Sequence, residues 1–94
     1  MRRPAIAATL MLMLLSGCAG SGTRTVVKGA GPDELLNLRA GPGLDYSVIL
    51  GIPDGTPLIR RNCVTEVGQL WCRVSLADTP EITGYVSEDY LSDS

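Results

Sequence analysis

LNLRAGPG, residues 36–43, holds the pattern on which the fold prediction rests. Apolar Leu36 and Leu38 alternate with polar neighbours, as they do in a strand with one buried face. The AGPG that follows cannot extend the strand, because glycine and proline favour turns. The stretch therefore predicts a short strand and a tight turn in immediate succession.

Short apolar segments that end in glycine, proline or aspartate recur along the rest of the chain, at a spacing of roughly ten residues. No stretch after position 34 offers a convincing helix of ten residues. Strands at this spacing favour a small all-β barrel. The predicted strands are 36–39, 48–50, 57–63, 70–76 and 82–86, and residues 87–91 form a last turn of helix or a short strand.

Cys63 and Cys72 flank a predicted hairpin, with VTEVGQLW between them. If the chain turns between Val67 and Gly68, the two cysteines fall directly opposite each other, at ~4.5 to 5.5 Å between Cα atoms, which a disulfide can span. A zinc site is an alternative with less support, since there is no His and no further pair of thiols. Two free buried thiols are the other alternative, which an oxidising compartment disfavours. The pattern favours the disulfide.

Several motifs follow one another in a fixed order: LNLRAGPG at 36–43, YSVI at 46–49, IPDGT at 52–56, WCRV at 71–74, GYV at 84–86 and YL at 90–91. Together they resemble the bacterial SH3-like (SH3b) domain. The resemblance covers residues 35–91 and implies an all-β, SH3-like barrel of five to seven short strands, with a binding role toward cell-wall or protein ligands. Tyr85 stands where that family commonly has Trp, and the cysteine pair occurs only in some members.

The first 17 residues have the order of an export signal: Arg2 and Arg3, an apolar core at 5–15, then small residues. The apolar core is too short to span a bilayer, because eleven helical residues at ~1.5 Å each cover about half of its hydrocarbon thickness. LSGC at its end resembles the lipobox of bacterial lipoproteins, which implies cleavage before Cys18 and acylation of that cysteine. Ordinary secretory cleavage, leaving Cys18 as a plain thiol, is the alternative.

Residues 18–34 are predicted to be the lipidated N-terminus and a flexible linker, because glycine and serine are frequent there. A flexible coil of about 14 residues would reach ~20 Å from the lipid. Thr25, Val26 and Val27 could form a short strand within it. Residues 92–94 are a tail.

Cleavage removes Arg2 and Arg3, two of the eight basic residues. The mature chain then has six basic and ten acidic residues, and its net charge is −4. Nucleic acid is therefore excluded as a partner, because binding it needs clustered basic residues. The adjacent Arg60 and Arg61 would point to opposite faces of a strand. The predicted location is the cell envelope, lipid-anchored through Cys18 and facing the periplasm. Ala19 favours the outer membrane, because lipoproteins retained at the inner membrane resemble one another in having Asp there.

The sequence argues against catalysis and predicts no catalytic residue, metal site or cofactor. It contains no His, its one Lys lies in the linker, and the domain cysteines are predicted to be oxidised. One hypothesis is a binding module for peptidoglycan peptides or envelope proteins, and Trp71 then lies either in its groove or in the core. The alternative is a scaffold that docks onto a larger envelope complex through a sheet edge. The oligomeric state is not predicted. The candidate groove residues are Tyr46, Trp71, Tyr85, Asp45 and Asp54.

Overall fold

The computed structural model describes residues 22–93, so the predicted signal peptide at 1–17 and Cys18 lie outside the described residues. Seven strands and one short 3-10 helix make up the regular structure of this part, which contains no α-helix. The strands are β1 (Thr23–Val27), β2 (Leu36–Arg39), β3 (Val48–Ile52), β4 (Pro57–Glu66), β5 (Gln69–Leu76), β6 (Thr83–Ser87) and β7 (Leu91–Asp93), with the 3-10 helix at Glu88–Tyr90.

All strand pairs are antiparallel, in the order β3-β2-β6-β5-β4-β1-β7. The predicted all-β fold, a small SH3-like barrel, is confirmed. The core lies on the inner face of this sheet, because each strand sends alternate side chains inward. Its buried members are Val27, Leu36, Leu38, Ile52, Leu58, Cys72, Val74 and Val86.

The β4–β5 hairpin has the predicted register. Cys63 lies opposite Cys72 and forms the disulfide, with 4.0 Å between the Cα atoms. Val67 and Gly68 make the turn, both with positive φ, 50° and 77°. Beyond the cysteines, β4 no longer pairs with β1, so residues 64–70 extend as a two-stranded ribbon.

The linker prediction for residues 18–34 is wrong at its centre, because residues 23–27 form β1 between β4 and β7. Thr25 and Val27 are almost wholly buried, so the alternating pattern there is that of a true strand. The carboxylate of Asp54 then accepts hydrogen bonds from the N–H groups of Ala30 and Gly31, at 2.9 and 3.2 Å. Residues 19–22 alone separate Cys18 from β1.

Gly84 lets β6 approach β2. A Cβ at this position would lie 2.7 Å from the carbonyl oxygen of Arg39 and 2.7 Å from Cγ of Leu38. Because Leu38 is fully buried, the core could not yield without a void or a shift of the strand. The close approach brings β2 beside β6, and so sets the loop after β2 next to the outer end of β5.

Candidate binding groove

A groove of about 820 Å³ opens at the end of the sheet where the β4–β5 ribbon projects. Its walls come from the loop after β2, the ribbon tip and the 3-10 helix. These segments are far apart in the sequence, and only the folded sheet brings them together. The groove contains three of the chain's four aromatic side chains: Tyr46, Trp71 and Tyr90.

Trp71 is a buried residue that also lines the groove, and it lies outside the cluster of core residues on the inner face of the sheet. On β5 the neighbouring Cys72 and then Val74 point inward, so Trp71 is on the outer face, opposite Ser87 of β6. The side chain is only 7% exposed. Beside it Gln69 donates from Nε2 to Oγ of Ser87 at 2.9 Å, which ties β5 to β6 at this level.

Tyr46 is held by the loop that the AGPG turn begins. Its ring packs directly over Gly41, where any Cβ would overlap the ring. Arg39 clamps the same loop, since its Nη1 donates to the carbonyl oxygens of Leu44 (3.3 Å) and Tyr46 (3.0 Å). The ring is 48% exposed, so a ligand can contact it.

Tyr90, which the sequence interpretation missed as a site residue, lies on the 3-10 helix. Ser87 precedes this helix and its Oγ accepts from the N–H of Asp89, at 3.2 Å. The serine and the acidic residue two positions later are a local capping signal that could have decided for the helix between the two structures predicted at 87–91. Tyr90 remains 37% exposed at the groove wall.

The groove is acidic. Arg39 is the one basic residue among the described lining residues, and its guanidinium is engaged by the loop carbonyls. A cationic group inside the groove would meet carboxylates and aromatic rings, both of which attract it. The lining carboxylates are Glu34, Asp45, Glu66 and Asp89.

Of the predicted groove residues, Tyr46, Trp71 and Asp45 come together, whereas Tyr85 and Asp54 lie outside the lining. Tyr85 is on the outer face of β6, in register with Arg39 on one side and Arg73 on the other. Asp54 closes the turn before β4 through its bonds to the segment after β1.

The described residues contain no group of three or more potential metal ligands, nor any helix long and apolar enough to cross a membrane.

Residues 34–92, well over half of the chain, match the family model described as the bacterial SH3 domain. No curated protein and no solved structure shows significant similarity to the chain. The matched range begins after β1, so the first strand of the sheet comes from outside the family match.

Proposed function

Since this chain belongs to the bacterial SH3 domain family over residues 34–92, we propose that it is a non-catalytic binding module whose ligand lies in the acidic aromatic groove. Domains of this family are generally binding modules. The observation that carries the proposal is that Tyr46, Trp71 and Tyr90 line one groove together with four carboxylates.

The groove favours a peptide that carries an ammonium or amide group. Half-exposed rings provide flat apolar contacts at low entropic cost, and they attract cations through their faces. The carboxylates add an attraction that weakens as salt is raised. We propose peptidoglycan peptides as the ligand class, with envelope proteins that present a basic segment as the alternative.

The lone tryptophan makes the test direct, because Trp71 lines the groove and no other Trp contributes fluorescence. Enzymatically released peptidoglycan peptides should shift or quench its emission. Tyr46→Ala should weaken binding at least tenfold, because it removes an exposed ring without touching the core. Tyr85→Ala is the matched control, a tyrosine outside the groove, and should bind like wild type.

A second pair of variants tests how much the lining carboxylates contribute to ligand binding. Asp45→Asn removes a lining carboxylate, whereas Asp78→Asn removes one from the exposed loop after β5. Only Asp45→Asn should weaken binding and flatten its salt dependence. Equal affinities for Tyr46→Ala, Asp45→Asn and both controls would rule out the groove as the binding site.

A second candidate function, docking through a sheet edge, is favoured by β3. This strand pairs only with β2 among the described strands, and Val48, Ile49 and Leu50 are 37–49% exposed. Unpaired apolar edges are sites of strand addition. Ile49→Lys should then abolish capture of a partner from envelope extract, whereas Val67→Lys, a change at the fully exposed hairpin tip, should not. Capture that survives Ile49→Lys argues against the edge.

We further propose that Cys18 is acylated and anchors the domain at the envelope, facing the periplasm. The support is the order of charge, apolar core and LSGC in residues 1–18. Two or three acyl chains hold a protein firmly, since each buried methylene contributes ~0.8 kcal/mol. Ala19 favours the outer membrane where the cell has two.

A further inference from the structure

One side of the groove is the outer face of β2. Leu36 and Leu38 of this strand point into the core. The residues that alternate with them, Leu35, Asn37 and Arg39, therefore point to the outer face, and all three line the groove. Whatever occupies the groove thus lies against β2, and the next strand beyond β2 is β3 at the edge of the sheet.

Leu35 connects the groove to β3. In the β2–β3 register Asn37 lies opposite Gly51. A Cβ built on Gly51 would lie 2.8 Å from Cδ1 of Leu35, so the leucine side chain lies across the glycine. Ile49 is two positions from Gly51 on the same face, and both Leu35 and Ile49 are exposed. An exposed apolar surface therefore continues from the groove to the edge of the sheet.

The edge strand β3 lacks the usual protection against pairing with another strand. It contains no charged residue and no proline, and among the described strands it pairs only with β2. Charge, proline and shortness are the common protections, and β7 at the opposite edge has only three residues. A register shift leaves Ile49 without a partner residue on β2, whereas Leu50, Gly51 and Ile52 pair in regular register. A further strand can therefore pair with β3.

The end of β3 nearest the groove has a carboxylate beside an aromatic ring. Asp45 and Tyr46 lie just before the strand, and both line the groove. Within residues 22–93, no hydrogen bond or ion pair engages the side chain of Asp45. Asp54, just beyond the other end of β3, instead accepts hydrogen bonds from the N–H groups of Ala30 and Gly31. A cation is therefore favoured at the Asp45 end, by the carboxylate and by the ring face.

An extended polypeptide is long enough to use both parts of this surface. The five residues of β3 provide about 17 Å of edge, at ~3.4 Å each. Asp45 is three positions before Val48, so their Cα atoms are at most about 11 Å apart. A segment of about seven residues therefore spans the edge and reaches the carboxylate. We expect it to run antiparallel to β3, because that pairing is slightly more stable per residue.

From this continuity we infer that the groove and β3 together bind one extended segment of a partner protein. The segment pairs antiparallel to β3 and packs apolar side chains on Leu35 and Ile49. A Lys or Arg that follows the paired residues contacts Asp45 and Tyr46. The inference rests on the proposed function, of which it specifies the protein ligand: alternating apolar residues followed by a basic one.

The test uses the full chain in detergent micelles and two synthetic peptides of identical composition, acetylated and amidated at their ends. Val-Thr-Val-Thr-Val-Lys-Lys has its basic pair at the end that antiparallel pairing brings to Asp45. Lys-Lys-Val-Thr-Val-Thr-Val has it at the opposite end and is the control peptide. The emission of Trp71 reports on the groove, and amide hydrogen exchange of residues 48–52, measured by mass spectrometry, reports on β3.

The first peptide should change Trp71 emission and slow exchange at 48–52 in one titration, and should bind at least tenfold more tightly than the control peptide. Ile49→Lys should weaken its binding at least tenfold, because a charge on an edge opposes strand addition. Asp45→Asn should weaken binding and flatten its salt dependence. Leu70→Lys is the matched control, since Leu70 is exposed on β5 outside the groove lining, and it should bind like wild type.

Failure of this inference and failure of the proposed function give different results. If peptidoglycan peptides change Trp71 emission and the first peptide does not bind, the joint surface is overturned and the groove stands. If neither ligand binds, both are overturned.

Three further results would overturn the joint surface alone. The first is equal binding of the two peptides, or equal weakening by Ile49→Lys and Leu70→Lys. The second is slowed exchange at 48–52 with no change in Trp71 emission, which would mean that the edge acts by itself. The third is exchange that slows with protein concentration in the absence of peptide, which would mean that a second copy of the chain occupies β3.

Discussion

Loss of the disulfide is expected to be the largest single perturbation of stability available on the surface of this domain. Cys63 is exposed, so Cys63→Ser breaks the bond to Cys72 without adding a buried group. The bond closes a loop of ten residues, since the sequence separation is 9, and the chain-entropy model assigns such a loop about 2.7 kcal/mol. At ~4 to 8 °C per kcal/mol for a domain of this size, the Tm should fall by about 10 to 20 °C.

The assay is thermal unfolding of the soluble domain by circular dichroism, with and without reductant. Reduced wild type and Cys63→Ser should melt together. Cys72→Ser should melt lower still, because Cys72 is fully buried and a core hydroxyl costs a further ~1 to 3 kcal/mol. Asn62→Ser, an exposed neighbour with the bond intact, is the control and should shift the Tm by less than ~4 °C.

A drop of under ~4 °C on reduction would refute the entropic argument. So would the detection of two free thiols in the folded, unreduced domain, since that would remove the bond itself. Equal melting of Cys63→Ser and Cys72→Ser would contradict the burial of Cys72 in the core.

Three other changes test separate parts of the account. Val67→Asn should raise the Tm by ~4 to 8 °C, because Val67 has a φ of 50° that asparagine tolerates better, and the gain is about 1 kcal/mol; an unchanged or lower Tm would contradict this turn geometry. Gly84→Ala should destabilise the domain by ~1 to 3 kcal/mol in urea titration, because its Cβ would meet the Arg39 carbonyl and Leu38, and a neutral result would mean that the strands can separate freely. Cys18→Ser should abolish acyl mass and membrane partitioning of the mature chain, and full retention in the membrane fraction would refute the anchor.

Local patterns alone predicted much of this fold. The alternation in LNLR, the turn at AGPG and the pairing of Cys63 with Cys72 depend on residues close together in the chain, and their geometry follows from strand period and turn chemistry. For that reason the hairpin register could be worked out from the sequence, and the structure confirms it. The sequence left open whether residues 25–27 form a strand, because a short segment becomes a strand, here β1 at Thr23–Val27, only when partners from elsewhere pair with it.

The composition of the groove depended on contacts that no local pattern contains. The groove brings together Tyr46, Trp71 and Tyr90, although 25 positions separate the first two and 19 separate the last two. They meet because Gly84 lets β6 approach β2, and the 3-10 helix that carries Tyr90 follows β6 directly. Tyr85 was an equally reasonable candidate in sequence, but strand alternation and pairing place it between two arginines outside the groove.

The distribution of charge shows most clearly which properties the sequence determines and which the tertiary structure determines. Composition alone determined that the mature chain is acidic, because net charge does not depend on how the chain folds. Sequence spacing suggested that Arg60 and Arg61 simply diverge on one strand. Only the tertiary structure decided that Arg24, Arg61 and Arg73 lie on three consecutive strands of the sheet, because pairing of β1, β4 and β5 brings together residues that are up to 49 positions apart in the chain.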